Sequence, residues 1–483
     1  MGVWEQLLPY AGVAVEVFAF ALVPLVLLRR REPASTIAWI LTLLFLPGVG
    51  AALFLLHGRD RLRWPARRKR AADSVLTARL RAARGRPSRL DIEQELGGLG
   101  ATARRIFRVC AGLGITTELT HDNSVELFAD GRSAVAAMER AIDEAERSVL
   151  VESYLVRDDE TGRCFRDKLV AAAQRGVEVR LLVDAYGCFW IPKRWYAPLR
   201  RAGARVVEFL PLSQALRLPM NLRNHRKVLV VDGQIAFTGG VNIGDEYTAG
   251  THRQPAWRDT HVCIWGPAVA SLTSVFLRDW HFMTGQREVE ERFFPAPEPA
   301  GDANIAVVPS GPDNPIEAIH RTFFIAIVSA QRRVWITTPY FVPDRSLTVA
   351  LETAALRGVD VKIILPRRSN HKVTHWAGRS WYSELLEAGV GIYEYEPAMI
   401  HAKTMLVDAH VALVGSANMD LRSFRLNFEV HTLLHDQVVA DALEQSFERD
   451  LAASHRIDLD EWRSRRWLAK VGEGAARLVS PIL

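Results

Sequence analysis

Histidine, lysine, aspartate and asparagine recur at identical spacing in two places, and no other feature restricts the fold of this 483-residue chain as tightly. His225 to Asn242 reads H-R-K-V-L-V-V-D, six residues, then G-G-V-N; His401 to Asn418 reads H-A-K-T-M-L-V-D, six residues, then G-S-A-N. A strand turns alternate side chains to one face, so His225 and Lys227 share a face, as do His401 and Lys403. The apolar run Val228 to Val231 buries the first strand. Asp232-Gly233, and Asp408-Ala409 in the second copy, turn hairpins. Small residues then let the backbone approach a ligand, with Asn242 or Asn418 just beyond. Each copy offers an imidazole, an ammonium and a carboxamide, a set that suits a phosphate.

The repeat extends beyond the motif. Ser148 to Tyr154 parallels Arg333 to Pro339, Arg175 to Val183 parallels Arg357 to Leu365, and Ala202-Gly203 parallels Ala388-Gly389. Alternating strand and helix patterns predict an α/β fold: two homologous sandwich halves with mixed sheets packed face to face, so that the motifs meet. The predicted divisions are a membrane region over 1–58, a basic, helical linker over 59–115, and halves over 116–295 and 296–483, the second with a C-terminal tail.

The paired motifs resemble those of the phospholipase D superfamily, in which two H-x-K-x4-D motifs meet across one active site. Its motif residues map here to His225, Lys227, Asp232, His401, Lys403 and Asp408, although the two aspartates, at hairpin turns, read as structural. A phosphodiester resists attack by external hydroxyl, and an imidazole that forms a covalent phosphoryl-enzyme divides one hard step into two. The second imidazole protonates the departing alkoxide and later deprotonates the acceptor. Lys227, Lys403, Asn242 and Asn418 would hold the non-bridging oxygens. No metal or other cofactor is expected, since the adjacent lysines repel a cation and no further ligand lies at metal spacing. Each histidine also needs its other nitrogen fixed. Asp259 and Glu429 are the candidates; the alternative is that they pair with Arg258 or Arg425 on the surface. Spacing does not say which histidine attacks; analogy with relatives makes His225 the nucleophile and His401 the acid and base.

The formal charge is +6, from 61 basic and 55 acidic residues. Residues 1–70 hold ten basic and four acidic residues, leaving 51 of each in the remainder, so the globular part lacks the basic footprint of a nucleic-acid binder. Leu7 to Leu28 and Ile37 to Leu56 read as two membrane segments, the second interrupted by Pro47-Gly48 and Gly50. The clusters Arg29 to Arg31 and Arg59 to Arg70 favour a cytoplasmic catalytic part, with the second segment either crossing or dipping in and returning. Glu16 lies within the first segment and takes no assigned role. Cys110, Cys164, Cys188 and Cys263 have neither metal nor redox spacing and read as buried thiols in a reducing compartment.

The likeness narrows further. Arg157 to Gly162, Asn221 to Lys227, Asn242 to Tyr247, Thr338 to Asp344 and Asn418 to Phe424, with the hydrophobic N-terminus, resemble bacterial cardiolipin synthases over nearly the whole chain. That resemblance implies transfer of a phosphatidyl group between two phosphatidylglycerols, other anionic phospholipids as partners, and residence at the bacterial inner membrane. A membrane-bound phospholipase, or a transferase using another alcohol, would use the same residues. One departure is Gly240 where the second copy has Ser416, so a hydroxyl contact to phosphate is expected from Ser416 alone. Phe189-Trp190-Ile191 with Lys193, Arg194, Trp195 and Tyr196 has the composition of an interfacial anchor. Leu210, Leu212, Leu216, Leu218, Met220 and Leu222 read either as an acyl-chain path or as ordinary core. The tail from Trp462, basic then apolar, docks either on the membrane or on the fold.

Overall fold

Short parallel strands, each preceded by a helix, follow from the apolar runs noted above, and they assemble into two like series. In the computed structural model, residues 3–28, 33–55, 96–113, 119–211, 222–252, 254–286, 291–314 and 316–478 are described. The first series is β1 (Leu119–Phe128), β2 (Ser148–Ser153), β3 (Glu178–Asp184), β4 (Arg205–Phe209), β5 (Arg223–Asn224), β6 (Lys227–Val231), β7 (Ile235–Gly239) and β8 (His261–Trp265). The second is β9 (Ala303–Ser310), β10 (Arg333–Thr337), β11 (Phe341–Val342), β12 (Asp360–Pro366), β13 (Gly391–Tyr395), β14 (Thr404–Val407), β15 (Val411–Gly415), β16 (Met419–Asp420), β17 (Asn427–His435) and β18 (Ser454–Arg456).

The expected pair of separate sheets is instead one continuous mixed sheet. Its order is β18-β13-β12-β10-β14-β15-β17-β9-β1-β8-β7-β6-β2-β3-β4, and β1 and β9 pair antiparallel at the centre. Apart from β18 the order is the same read outward from β1 or from β9. Edge pairing satisfies the backbone groups that two stacked sheets would leave open on β1 and β9. Side chains complete the union: Leu150, Phe209 and Val228 share one buried cluster with Trp335, Leu406 and Phe428, and the helices Ala268–Thr284 and Gln437–Ala452 contribute to it.

The motif strands lie where the sequence places them. β6 runs antiparallel to β2 with Lys227 opposite Ser153, and β14 runs antiparallel to β10 with Thr404 opposite Thr337. Both motifs therefore sit at the C-terminal ends of parallel strands, where open α/β sheets present their binding groups.

The N-terminal unit holds helices at Val3–Leu27, Pro33–Phe45 and Pro47–Leu53. Leu46 separates the last two, and the proline that follows is tolerated because it opens a helix, where its missing N–H is no loss. Among the described residues no helix is long and apolar enough to cross a membrane. Val17, Phe20, Phe45 and Leu46 are nonetheless exposed, as is Glu16. The basic clusters at 29–31 and 59–70 and most of the linker lie outside the described residues, as do Leu212, Leu216, Leu218 and Met220. Leu222 is buried. Cys110, Cys188 and Cys263 are buried as expected, but Cys164 is exposed because it lies on the outer face of the helix Glu160–Gln174.

Candidate active site

Each motif histidine is held by the opposite half of the chain. β5 joins the start of β17 in parallel, and the His225 amide donates to the Phe428 carbonyl at 2.9 Å. In return, the Arg258 amide donates to Met399 at 2.9 Å and the His401 amide to Arg258 at 2.6 Å. The side chains repeat the exchange. His225 Nδ1 lies 3.0 Å from Glu429 Oε2 and 3.1 Å from the Ser416 carbonyl; His401 Nδ1 lies 2.7 Å from Asp259 Oδ2. Both carboxylates are wholly buried. The two acceptors facing Nδ1 of His225 place its proton there and leave its Nε2 lone pair for chemistry, whereas His401 Nδ1 faces Lys403 Nζ at 2.7 Å as well as Asp259.

Lys227 Nζ donates to the His225 carbonyl at 2.7 Å, and Lys403 Nζ to the His401 carbonyl. Each ammonium bears on the opposite imidazole as well as on its own. Burial holds His225 below the ordinary imidazole value against the pull of Glu429. Burial, and then Lys403, take His401 down to about 3. Burial lowers Lys227 to about 7 and Lys403 to about 8, against the pull of Glu429 and Asp259. Burial alone would raise the two carboxylates. Asp259 stays below its usual range through Lys403 and His401, and Glu429 through His225 and Lys227. The catalytic groups are buried together, and burial holds both lysines below their ordinary value until an anion arrives.

The Asn242 side-chain amide donates to Tyr247 Oη at 2.6 Å, and the other carboxamide atom is buried without a partner. Asn418 Oδ1 is likewise buried and unpartnered. Such atoms cost free energy unless a ligand or water meets them. Aromatic rings line the site: Tyr154 lies edge-on to His225 at 4.7 Å, and Tyr247 and Trp257 lie 5.5 and 5.3 Å from His401.

One expectation needs correction. Ser416 does not present its hydroxyl to a phosphate: Oγ donates to Glu429 Oε2 at 2.5 Å and accepts from the Val430 amide at 3.0 Å, so its one proton is committed to the carboxylate. At the matching position a Cβ on Gly240 would stand 2.1 Å from Asp259 Oδ1, so glycine is what admits that carboxylate. The surface alternative for the acids also fails, since Arg258 pairs with Asp450 and Arg425 with Glu317. Asp232 and Asp408 are motif members without a catalytic position. The Asp232 carboxylate accepts from the amides of Glu146, Arg147 and Ser148, and that of Asp408 from those of Gln331, Arg332 and Arg333, pinning the turns that open β2 and β10.

Sequence reasoning missed the arginines behind the acids. Arg226 Nε donates to the Glu429 carbonyl at 3.1 Å and its guanidinium pairs with Asp279; Arg258 donates to the Asp259 carbonyl at 2.5 Å and pairs with Asp450. A signal was present, for Asp279 and Asp450 follow the orienting acids by 20 and 21 residues. Among the described residues no group of three or more His, Cys, Asp or Glu is placed to hold a metal ion.

Comparison with known proteins agrees with this geometry. The family model described as cardiolipin synthase, PLD-like domain, matches residues 138–280 and 323–451, and a phospholipase D-nuclease N-terminal model matches 17–59. The chain is 36% identical to a cardiolipin synthase of Geobacillus kaustophilus over 100% of this chain and 96% of that one. It is 35% identical to the major cardiolipin synthase of Bacillus subtilis, over 94% of this chain and 95% of that one. A crystal structure of phosphatidylserine synthase from Haemophilus influenzae shares the fold, with a TM-score of 0.58 at 14% identity over 74% of this chain and 95% of that chain.

Proposed function

The chain belongs to the cardiolipin synthase family of phospholipase D-like proteins, and on that premise we propose that it moves a phosphatidyl group between two phosphatidylglycerols through a covalent adduct on His225. In the first step His401 takes up a proton at Nε2 as the anionic lipid phosphate enters, the His225 Nε2 lone pair attacks phosphorus, the bond to the headgroup glycerol breaks, and His401 gives that proton to the leaving oxygen. Glycerol departs and a phosphatidyl-histidine remains. In the second step neutral His401 takes the proton of the acceptor lipid's terminal hydroxyl, the alkoxide attacks phosphorus, and the P–N bond breaks to release cardiolipin. The ammonium groups of Lys227 and Lys403 and the side-chain N–H groups of Asn242 and Asn418 hold the non-bridging oxygens. The phosphate's own negative charge restores full protonation of the lysines on binding.

The reciprocal histidine–carboxylate pairs carry this reading. Asp259 Oδ2 faces His401 while its Oδ1 accepts from the Thr260 amide, whereas Glu429 Oε2 is shared between His225 and Ser416 and Oε1 accepts from Asn427. An oxygen kept for one imidazole suits the ring that must become a cation, and an oxygen shared with a hydroxyl suits the ring that attacks while neutral. The halves over 116–295 and 296–483 are proposed as the two contributors. Residues 1–58 are proposed as the attachment to the bacterial inner membrane, with the catalytic part on the cytoplasmic side.

Purified full-length protein given phosphatidylglycerol alone is expected to yield cardiolipin and glycerol in equal amounts. Phosphatidic acid as the main product would overturn the transferase reading. An alkali-quenched adduct should map to His225, and an adduct on His401 would reverse the two roles.

A further inference from the structure

The catalytic groups sit at the C-terminal ends of β2 and β10, and the loops leaving β3 and β12 start from the same ends, because β3 is parallel to β2 and β12 to β10. Both loops reach the histidines. Tyr186, after β3, lies 4.0 Å beneath the guanidinium of Arg223, two residues before His225. His371, after β12, lies 5.4 Å from Tyr340, which is 6.5 Å from His401.

Both loops also end in exposed apolar side chains. In the first, Ile191, Trp195 and Tyr196 are buried, so the anchor composition read from sequence reduces to Phe189, Trp190, Lys193 and Arg194, which exposed Tyr186 joins; Trp190 is 82% exposed. The second runs into the helix Lys372–Arg379, which exposes Val373 and Trp376 and packs against the helix Trp467–Leu478. That C-terminal helix is turned outward in an unusual sense. Its acid is the inner group, for Glu473 is buried against Arg379 at 3.2 Å and Arg465 at 2.6 Å, and Ala476 packs with Val342 and Ala377. Trp467, Leu468, Val471 and Leu478 face out, 69% and 83% exposed at the two ends. A helix in water directs such a stripe inward. Exposed Lys372, Arg466 and Lys470 lie beside it.

We propose that the outer face of Lys372–Arg379 and Trp467–Leu478, with the exposed Tyr186–Trp190 tip of the loop after β3, is a docking surface for an anionic phospholipid bilayer. The occupant follows from the chemistry. Aromatic and aliphatic side chains at the level of lysine and arginine match an interface of acyl chains beneath negative headgroups, and the lengthwise stripe matches a helix lying in that plane. The face is joined to the site through His371, which lies beside Tyr340 and so near His401, and docking would bring the catalytic groups to the bilayer. This rests on the phosphatidyl-transfer reading for its substrate but not for its readout.

The test uses full-length protein. In a Cys164→Ser background, Leu468→Cys carries a nitroxide whose collisions with oxygen and with a nickel chelate are measured before and after adding vesicles of phosphatidylglycerol and phosphatidylcholine. The label is expected to be open to the chelate in detergent and to favour oxygen once vesicles are present. Continued chelate access with the protein bound to vesicles would overturn the proposal, and so would protection before vesicles are added, which would mean that another protein surface covers the stripe. In parallel, Leu468→Asp with Val471→Asp should lower turnover of vesicle phosphatidylglycerol by about tenfold and leave turnover of dispersed short-chain phosphatidylglycerol unchanged. Equal losses on both substrates, or no loss on either, would refute it. If the parent protein makes no cardiolipin from either substrate, the functional reading fails while the nitroxide result still decides the docking face.

Discussion

Replacing Asp259 with Asn tests the division of labour between the two histidines. The amide keeps a hydrogen bond to His401 Nδ1 but removes the buried charge 2.7 Å away. Two unit charges about 4 Å apart interact by about 4 kcal/mol at an effective dielectric of about 20. With the amide dipole recovering part of this, His401 in its cationic form loses about 3 kcal/mol, or roughly two orders of magnitude in any step that needs it to deliver a proton. Phosphatidylglycerol has a poor leaving group and should show the full loss. A phosphatidyl ester of p-nitrophenol needs no proton on departure, so the burst of nitrophenolate from Asp259→Asn should come close to the parent rate. Glu429→Gln, which loosens His225, should slow the burst with both donors. Rapid-quench measurement of the first turnover separates these outcomes. If the nitrophenyl ester rescues Glu429→Gln and not Asp259→Asn, the nucleophile is His401 and the reasoning from shared and unshared carboxylate oxygens is wrong.

Other consequences follow from the same geometry. Lys227 at about 7 and Lys403 at about 8 are charged below those values and neutral above them, so kcat/KM should fall as pH rises through that interval. Lys227→Arg should move the alkaline limb upward, and a limb unchanged in both lysine variants would remove them from phosphate binding. Gly240→Ala places a Cβ where Asp259 Oδ1 now sits and should reduce turnover about a hundredfold while circular dichroism stays native; full activity would show that the carboxylate needs no such room. Asp232→Asn should lower unfolding free energy by about 1–2 kcal/mol in urea titration, since charged acceptors for three backbone amides become a neutral one. Turnover per folded molecule should be nearly unchanged, and a large loss of turnover at unchanged stability would make Asp232 catalytic after all.

Much of this molecule was legible from residues alone, and what was hidden has a common cause. The pairing of His with Lys on one strand face, the hairpin aspartates and the alternation of strands with helices are local, and local spacing dictates them. The orienting acids could be named for the same reason, since Asp259 and Glu429 stand at matching points in the repeat. Spacing did not say which histidine each acid serves, and in the structure each serves the histidine of the other half.

What the chain's order of residues determined is therefore the chemistry on offer: two imidazoles, two ammoniums, two carboxamides and two carboxylates, delivered by like halves. Tertiary structure decided who meets whom. Joining β1 to β9 makes one sheet of the two halves and carries β5 onto β17, so Glu429 faces His225, Asp259 faces His401, and Ser416 turns to its carboxylate. The physical reason is that strand periodicity sets a side chain's face within its own segment, whereas partners over a hundred residues away are chosen by edge pairing and shared burial, which no short stretch of sequence encodes.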